Sequence, residues 1–162
     1  MLKSGERFRV VSVHSPAFFV PRDQYADVDV SGIKLPENPE LWFTEILWAL
    51  LRSSAISRDT NWIVAGDFNS SVLFDKPRDR GNWRIGKRLN SLGLADCLKH
   101  CHFGPVPTFQ HSGGSVRHQL DYCYVNAPML ERLTQARVPS REEVFDRKPR
   151  LSDHLPILCE FE

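Results

Sequence analysis

Gly66-Asp67-Phe68-Asn69 sets a carboxylate and a carboxamide two residues apart, directly after the apolar run Trp62-Ile63-Val64-Ala65. A buried strand that halts at a glycine would present both groups at its carboxyl end. Three other places pair an apolar strand pattern with an ionisable group: His14 after Val10-Val11-Ser12-Val13, Asp121 in Leu120-Asp121-Tyr122, and Asp153 with His154 ahead of Leu155. Strand-end residues converge on one edge of a sheet, where a ligand can reach them. Hard cations such as Mg2+ take carboxylate and carbonyl oxygens plus water. Splitting a phosphodiester with water needs a group to orient that water, a metal on the phosphoryl oxygens and a donor for the developing charge. Asp67, Asn69, Asp153 and His154 could supply such a set.

Each group also has a plain structural use. Gly-Asp-X-Asn is good turn chemistry after a strand, and Ser152-Asp153-His154 could be a polar loop. A single strand-end histidine such as His14 is more often a satisfied structural residue than a ligand. Asp121 is harder to dismiss, because a carboxylate inside an alternating strand needs solvent or a partner, and a histidine is a natural one.

The elements that must position these groups can be read in order. Arg7 to His14 alternates around β-branched residues and reads as a strand broken by Ser15-Pro16. The segment through Gly32 carries no assignable pattern. Asn38 as N-cap, Pro39 and Glu40 predict a helix from Pro39 to Arg52, apolar over much of its circumference and covered on most sides. Ile85, Leu89 and Leu92 give a second helix stopped at Gly93. Thr108-Phe109-Gln110 and Gln119 to Val125 read as two strands, and His111 to Ser115 as the turn of a hairpin between them. Asn126 to Leu133 suits a short capped helix with Pro128 near its start, and Leu155 to Phe161 a closing strand. The order predicts a mixed α/β domain with an antiparallel component.

Length and composition allow one domain with a real core: 162 residues, 41% hydrophobic and 25% charged, with a net charge of +1. That charge creates no global attraction to nucleic acid or membrane, so any such attraction is local. No apolar run approaches a membrane span. Four cysteines do not look like a disulfide framework, and reduced thiols in a cytoplasmic protein are the default.

Gly66-Asp67-Phe68-Asn69, Leu120-Asp121-Tyr122 and Ser152-Asp153-His154-Leu155-Pro156-Ile157, in this order and at this spacing, resemble the endonuclease/exonuclease/phosphatase superfamily of metal-dependent phosphodiesterases. The resemblance runs from about His14 to the end. It implies an α/β fold with mixed sheets, about the carboxyl-terminal half of a four-layer α/β/β/α sandwich, as a single domain over residues 1–162 that looks amino-terminally truncated. It also implies roles. Asp67 would orient or deprotonate the attacking water, and Asn69 would hold the water or a phosphoryl oxygen. His154 would contact the scissile phosphate, with Asp121 fixing its tautomer and favouring its charged form. His14 would lie against the phosphate. The metal, Mg2+ or Mn2+, would be held by Asp153, Asp67 and Asn69.

The superfamily's strand-end asparagine and metal-binding glutamate have no counterpart before Arg7, and Glu6 does not match their motif. The expectation is therefore a divalent-metal-dependent phosphodiesterase, a nuclease in preference to a phosphatase or phospholipase of the same fold, with weak or no hydrolysis by this chain alone. A non-catalytic remnant, or a half-domain that self-associates or takes a partner, is the competing reading. The basic stretch from Asp75 to Arg88, with Trp83 inside it, favours a nucleic-acid substrate. Cys97-Leu98-Lys99-His100-Cys101-His102 invites a zinc reading, but no second Cys/His pair follows at a convincing distance. A helix end with one buried and one exposed thiol accounts for it more simply.

Overall fold

The protein's fold is taken from a computed structural model that describes residues 5–33, 40–74, 82–111 and 118–162. Its centre is a four-stranded sheet. Strand β1 (Phe8–His14) lies parallel to β4 (Asn61–Asp67), β4 antiparallel to β6 (Asp121–Asn126), and β6 antiparallel to β5 (Leu94–Asp96). The pairing sets His14 beside Asp67 and Asp67 beside Asp121. Residues in register share a face of a sheet. The carboxyl ends of β1 and β4 and the amino end of β6 thus form one edge, and their polar termini share one face there.

The two faces of the sheet bury different sets. On one, Val13, Trp62, Val64, Tyr122 and Tyr124 pack with Leu47 and Leu51 of helix α1 (Phe43–Ser53) and with Ile85 and Leu89 of α2 (Ile85–Asn90). On the other, Ile63, Ala65, Cys123 and Val125 meet α3 (Cys97–His102), α4 (Ala127–Glu131) and a second, two-stranded sheet of β7 (Leu133–Arg137) and β8 (Leu158–Phe161). The His14–Asp67–Asp121 register lies on this second face, at its rim. Helices, sheet and second sheet make layers in the order the resemblance implies.

Several expectations are refined. The helix expected from Pro39 begins at Phe43, because Leu41–Trp42 form strand β3 and pair with β2 (Phe19–Val20), an unforeseen strand. Glu45 Oε2 accepts from the Trp42 amide at 2.9 Å and caps the start. The proposed cap Asn38 and Pro39 lie outside the described residues. Helix α1 is covered on most sides, as expected; Leu50 is exposed, while Glu45 is buried and pairs with Arg88 at 2.7 Å. Gly93 has the left-handed φ of +78° expected of a helix stop. Among the described residues the hairpin shows one antiparallel bridge, Phe109 with His118, and most of its turn lies outside them. The helix α4 follows Asn126, with Pro128 in its first turn. The closing strand is shorter than expected, Leu158–Phe161, since Leu155 is drawn instead to the Thr108 carbonyl.

Gly66 is the point on which β1 and β4 come together. Its φ is +138°, and a Cβ there would sit 2.0 Å from the carbonyl oxygen of Val13. No side chain fits, so the strand can reach its polar corner only through a glycine.

Candidate active site

The corner after β4 is pinned from inside. Phe68 is fully buried, with its ring edge-on to Tyr122 and Tyr124 at 5.3 and 5.7 Å. Its amide donates to the Leu120 carbonyl at 2.8 Å. With Phe68 anchored, its neighbours Asp67 and Asn69 are held half-buried at the rim. Asn69 adopts a left-handed φ of +43°, a conformation asparagine tolerates better than most residues. Its backbone amide donates to Asp67 Oδ1 at 2.8 Å. Its side-chain amide donates to Asp67 Oδ2 at 2.9 Å and to the Ser15 carbonyl at 2.7 Å. Gly-Asp-X-Asn is therefore a turn and a preorganised pair of groups at once. Both donors of the Asn69 amide are used, leaving Oδ1 as its remaining polar atom.

Asp121 enters from the neighbouring strand. Its Oδ2 lies 2.9 Å from His154 Nδ1, a contact between residues with 16% and 28% of their side chains exposed. An ionised carboxylate only accepts, so Nδ1 carries the hydrogen and Nε2 is the free nitrogen. Burial pushes the Asp121 carboxyl up, hydrogen bonds from Thr108 and His154 pull it down, and the Asp67 charge adds a smaller upward push. Asp67, Asp121 and His154 each bring a ligand atom within 4.8 Å of the others.

Thr108 supports this arrangement and was not singled out by its sequence context. It is fully buried, and its hydroxyl accepts from the amides of Leu120 and Asp121, both at 3.0 Å. Its carbonyl accepts from Leu155 at 2.7 Å. One residue thus ties the start of β6 to the loop that carries His154. Phe109 bridges His154 and packs against its ring at 5.0 Å. Arg150 braces the same loop, donating to the carbonyls of Gln110 and Ser152 at 2.6 and 2.8 Å.

The other candidates are placed differently. His14 is exposed beside Asp67 and outside the close Asp67–Asp121–His154 group. Asp153 is exposed as well; its carbonyl accepts from Gln110, and its carboxylate does not join that group. Asp153 sits at a bend in which Ser152 Oγ accepts from the His154 amide at 3.0 Å, and there the His154 ring is part-buried while Asp153 is exposed. Glu6 lies at the far end of β1 from the rim and pairs with Arg132 at 3.1 Å. Of the basic stretch, Lys76, Arg78 and Arg80 lie outside the described residues. Arg84 and Lys87 stand over the Trp83 ring at 5.5 and 5.3 Å, while Arg88 is committed to Glu45. Within the Cys97 to His102 stretch, Cys97 is buried, Cys101 half-buried, and His102 Nε2 bonds the Ala136 carbonyl at 2.7 Å.

The fold and this rim define a class. The sequence model of the Endonuclease/Exonuclease/phosphatase family matches residues 5–154, and the chain belongs to that family. Among solved structures, it is similar to an AP endonuclease from Archaeoglobus fulgidus, at 17% identity and a TM-score of 0.68, over 96% of this chain and 62% of that one. It is also similar to a 3′-5′ exonuclease (NExo) from Neisseria meningitidis, at 21% identity and 0.62, over 98% and 62%. A third similar structure is a 3′ phosphatase NExo from Neisseria bound to product DNA hairpin, at 19% identity and 0.62, with the same coverage. The chain thus spans less than two thirds of each of these proteins, and at such identities the likeness shows the fold. No curated protein sequence matches at a significant level. Among the described residues, no helix is long and apolar enough to cross a membrane.

Proposed function

We propose that the Asp67–Asn69 and Asp121–His154 pairs form one hydrolytic site for phosphodiesters, working with a divalent cation, and that its substrate is a nucleic acid. One observation carries this: two carboxylates and an imidazole from three separate segments meet at a sheet rim, Asp67 held by Asn69 and Asp121 and His154 by their mutual bond.

The donor set suits a hard cation. Asp67 and Asp121 crowd like charges together, and the upward push of Asp67 on the Asp121 carboxyl is the cost of that crowding. Mg2+ or Mn2+ would be held by Asp67 with the free Oδ1 of Asn69, and such an ion neutralises charge on phosphoryl oxygens. The remaining work falls to the protein. Asp67, held by two donors from Asn69, positions the attacking water and can receive its proton. His154, with Nδ1 tied to Asp121, offers Nε2–H in its charged form to a phosphoryl oxygen as negative charge builds there. His14, exposed at the same rim, contacts the substrate's phosphates, and the exposed Asp153 carboxylate the water around them. Trp83 with Arg84 and Lys87 adds a stacking and charge-bearing surface that favours a nucleic acid over a sugar or lipid phosphate. The DNA-directed neighbours point the same way.

A fluorescent duplex oligonucleotide containing an abasic site, incubated with the protein and Mn2+, tests the nuclease reading. Cleavage that disappears with chelator and with His154→Ala supports it. An intact oligonucleotide beside hydrolysed inositol phosphate would assign the site to the phosphatase branch of the fold.

A further inference from the structure

The two sheets meet over a group of thiols that the hydrolytic site does not use. Cys97 opens α3, Cys123 lies in β6 and Cys159 in β8, and their three sulfurs all lie within 4.8 Å of one another. Local spacing gives no hint of it, since 26 and 36 positions separate them along the chain. All are free thiols, two buried and Cys159 half-buried. Cys101, close in sequence to Cys97, stays outside the triad.

We infer that Cys97, Cys123 and Cys159 form a three-sulfur site for a thiophilic d10 cation of the Zn2+ or Cd2+ type, separate from the oxygen-rich hydrolytic site.

Geometry carries the inference. Sulfurs bound at ~2.3 Å around one zinc ion stand about 4 Å apart, so the triad needs only a small contraction to close on it. The ligands come from three elements, which fixes their approach directions before any ion arrives. Softness separates the two sites: thiolates select zinc-like ions, whereas the Asp67–Asn69 oxygens suit magnesium-like ones. Charge is manageable as well. Three thiolates around a dication leave one net negative charge, and the half-buried side of Cys159 lets water screen it. A route also exists. A crevice of about 280 Å³ is lined by Asp121, Leu155, Cys123 and Cys159, so two of the three thiols border a space shared with the rim. The plain alternative is three small apolar side chains filling a core, which cysteines do well.

Binding would cross-link α3, β6 and β8, so it should also stabilise the fold, since an ion held only by the native state adds to its stability.

The test is a titration of the reduced, metal-stripped protein with Cd2+, followed by the ultraviolet cadmium–thiolate charge-transfer band. The expected result is saturation at one Cd2+ per chain, a rise in Tm at saturation, the same band when Cd2+ is added to protein preloaded with Zn2+, and no loss of the band in excess Mg2+. Cys159→Ser should weaken binding by about tenfold or more, while Cys101→Ser leaves it intact. Absence of the band in the wild-type protein overturns the site, whatever the variants do. So does a band that survives Cys159→Ser unchanged or that requires Cys101.

Discussion

His154 Nδ1 stands 2.9 Å from Asp121 Oδ2, joining a loop residue to the first residue of a strand 33 positions earlier. The contact does two jobs. It selects the tautomer that leaves Nε2 facing outward, and it gives a half-buried carboxylate the partner it needs. The second job is incomplete, because burial still holds the Asp121 carboxyl above its ordinary value.

That surplus sets a pH dependence. A carboxyl whose folded-state value is raised binds more protons folded than unfolded, so stability falls as pH rises through the raised value. The stabilising contribution is complete below the ordinary carboxyl value of 3.8 and lost above the raised one. Asp121→Asn should therefore melt higher than wild type at pH 7, with the gap closing as pH drops below about 4. Hydrolysis should fall in the same variant. Thermal melts across pH check the first point, and a variant less stable than wild type at pH 7 contradicts it.

Thr108 is a positioning residue for this pair. Thr108→Val keeps the shape but removes an acceptor shared by two amides, costing about 1–3 kcal/mol for each donor left unpaired. Hydrolysis should lose kcat with KM little changed, and Thr108→Ser should restore it. Denaturant melts beside kinetics separate the effects; a valine variant with wild-type kcat would remove Thr108 from the account.

Gly66→Ala should not fold. Its Cβ would fall 2.0 Å from the Val13 carbonyl oxygen, a backbone atom that cannot swing aside without parting β1 from β4. Circular dichroism on heating should show no cooperative transition, and a wild-type melt would mean the strands tolerate separation.

At Asn69 backbone and side chain can be separated. Both Asn69→Gly and Asn69→Ala lose the amide contacts, but only alanine meets the left-handed φ of +43° with a Cβ and no compensating bond. The alanine variant should be less stable than the glycine variant by about 1 kcal/mol. Both should lose hydrolysis. Equal stability would show that the corner relaxes when the amide is gone.

Which parts of this were readable in advance follows from how local each signal is. β1 and β4 announce themselves by β-branched alternation and an apolar run that stops at glycine, and Asp67, Asn69, Asp121 and His154 each sit where such a pattern meets a polar residue. β5, at three residues, and α3, at six, are too short to show a period. β7 reads Leu-Thr-Gln-Ala-Arg and buries only Ala136 fully, so no alternation marks it. The start of α1 is displaced because Leu41–Trp42 pair with Phe19–Val20 across the fold, and the local cap falls at Trp42, held by Glu45, rather than further back. Thr108 and the thiol triad depend on contacts between distant segments, which no spacing rule contains.

Hydrolysis of bis-p-nitrophenyl phosphate, a substrate that asks nothing of the substrate-binding loops, tests this rim most directly. With Mn2+ the protein should release p-nitrophenol slowly, stop when the metal is chelated, and lose about 100-fold or more in rate in both Asp67→Ala and His154→Ala. Metal-dependent release that persists unchanged in either variant would contradict the assignment of this rim as a phosphodiesterase site.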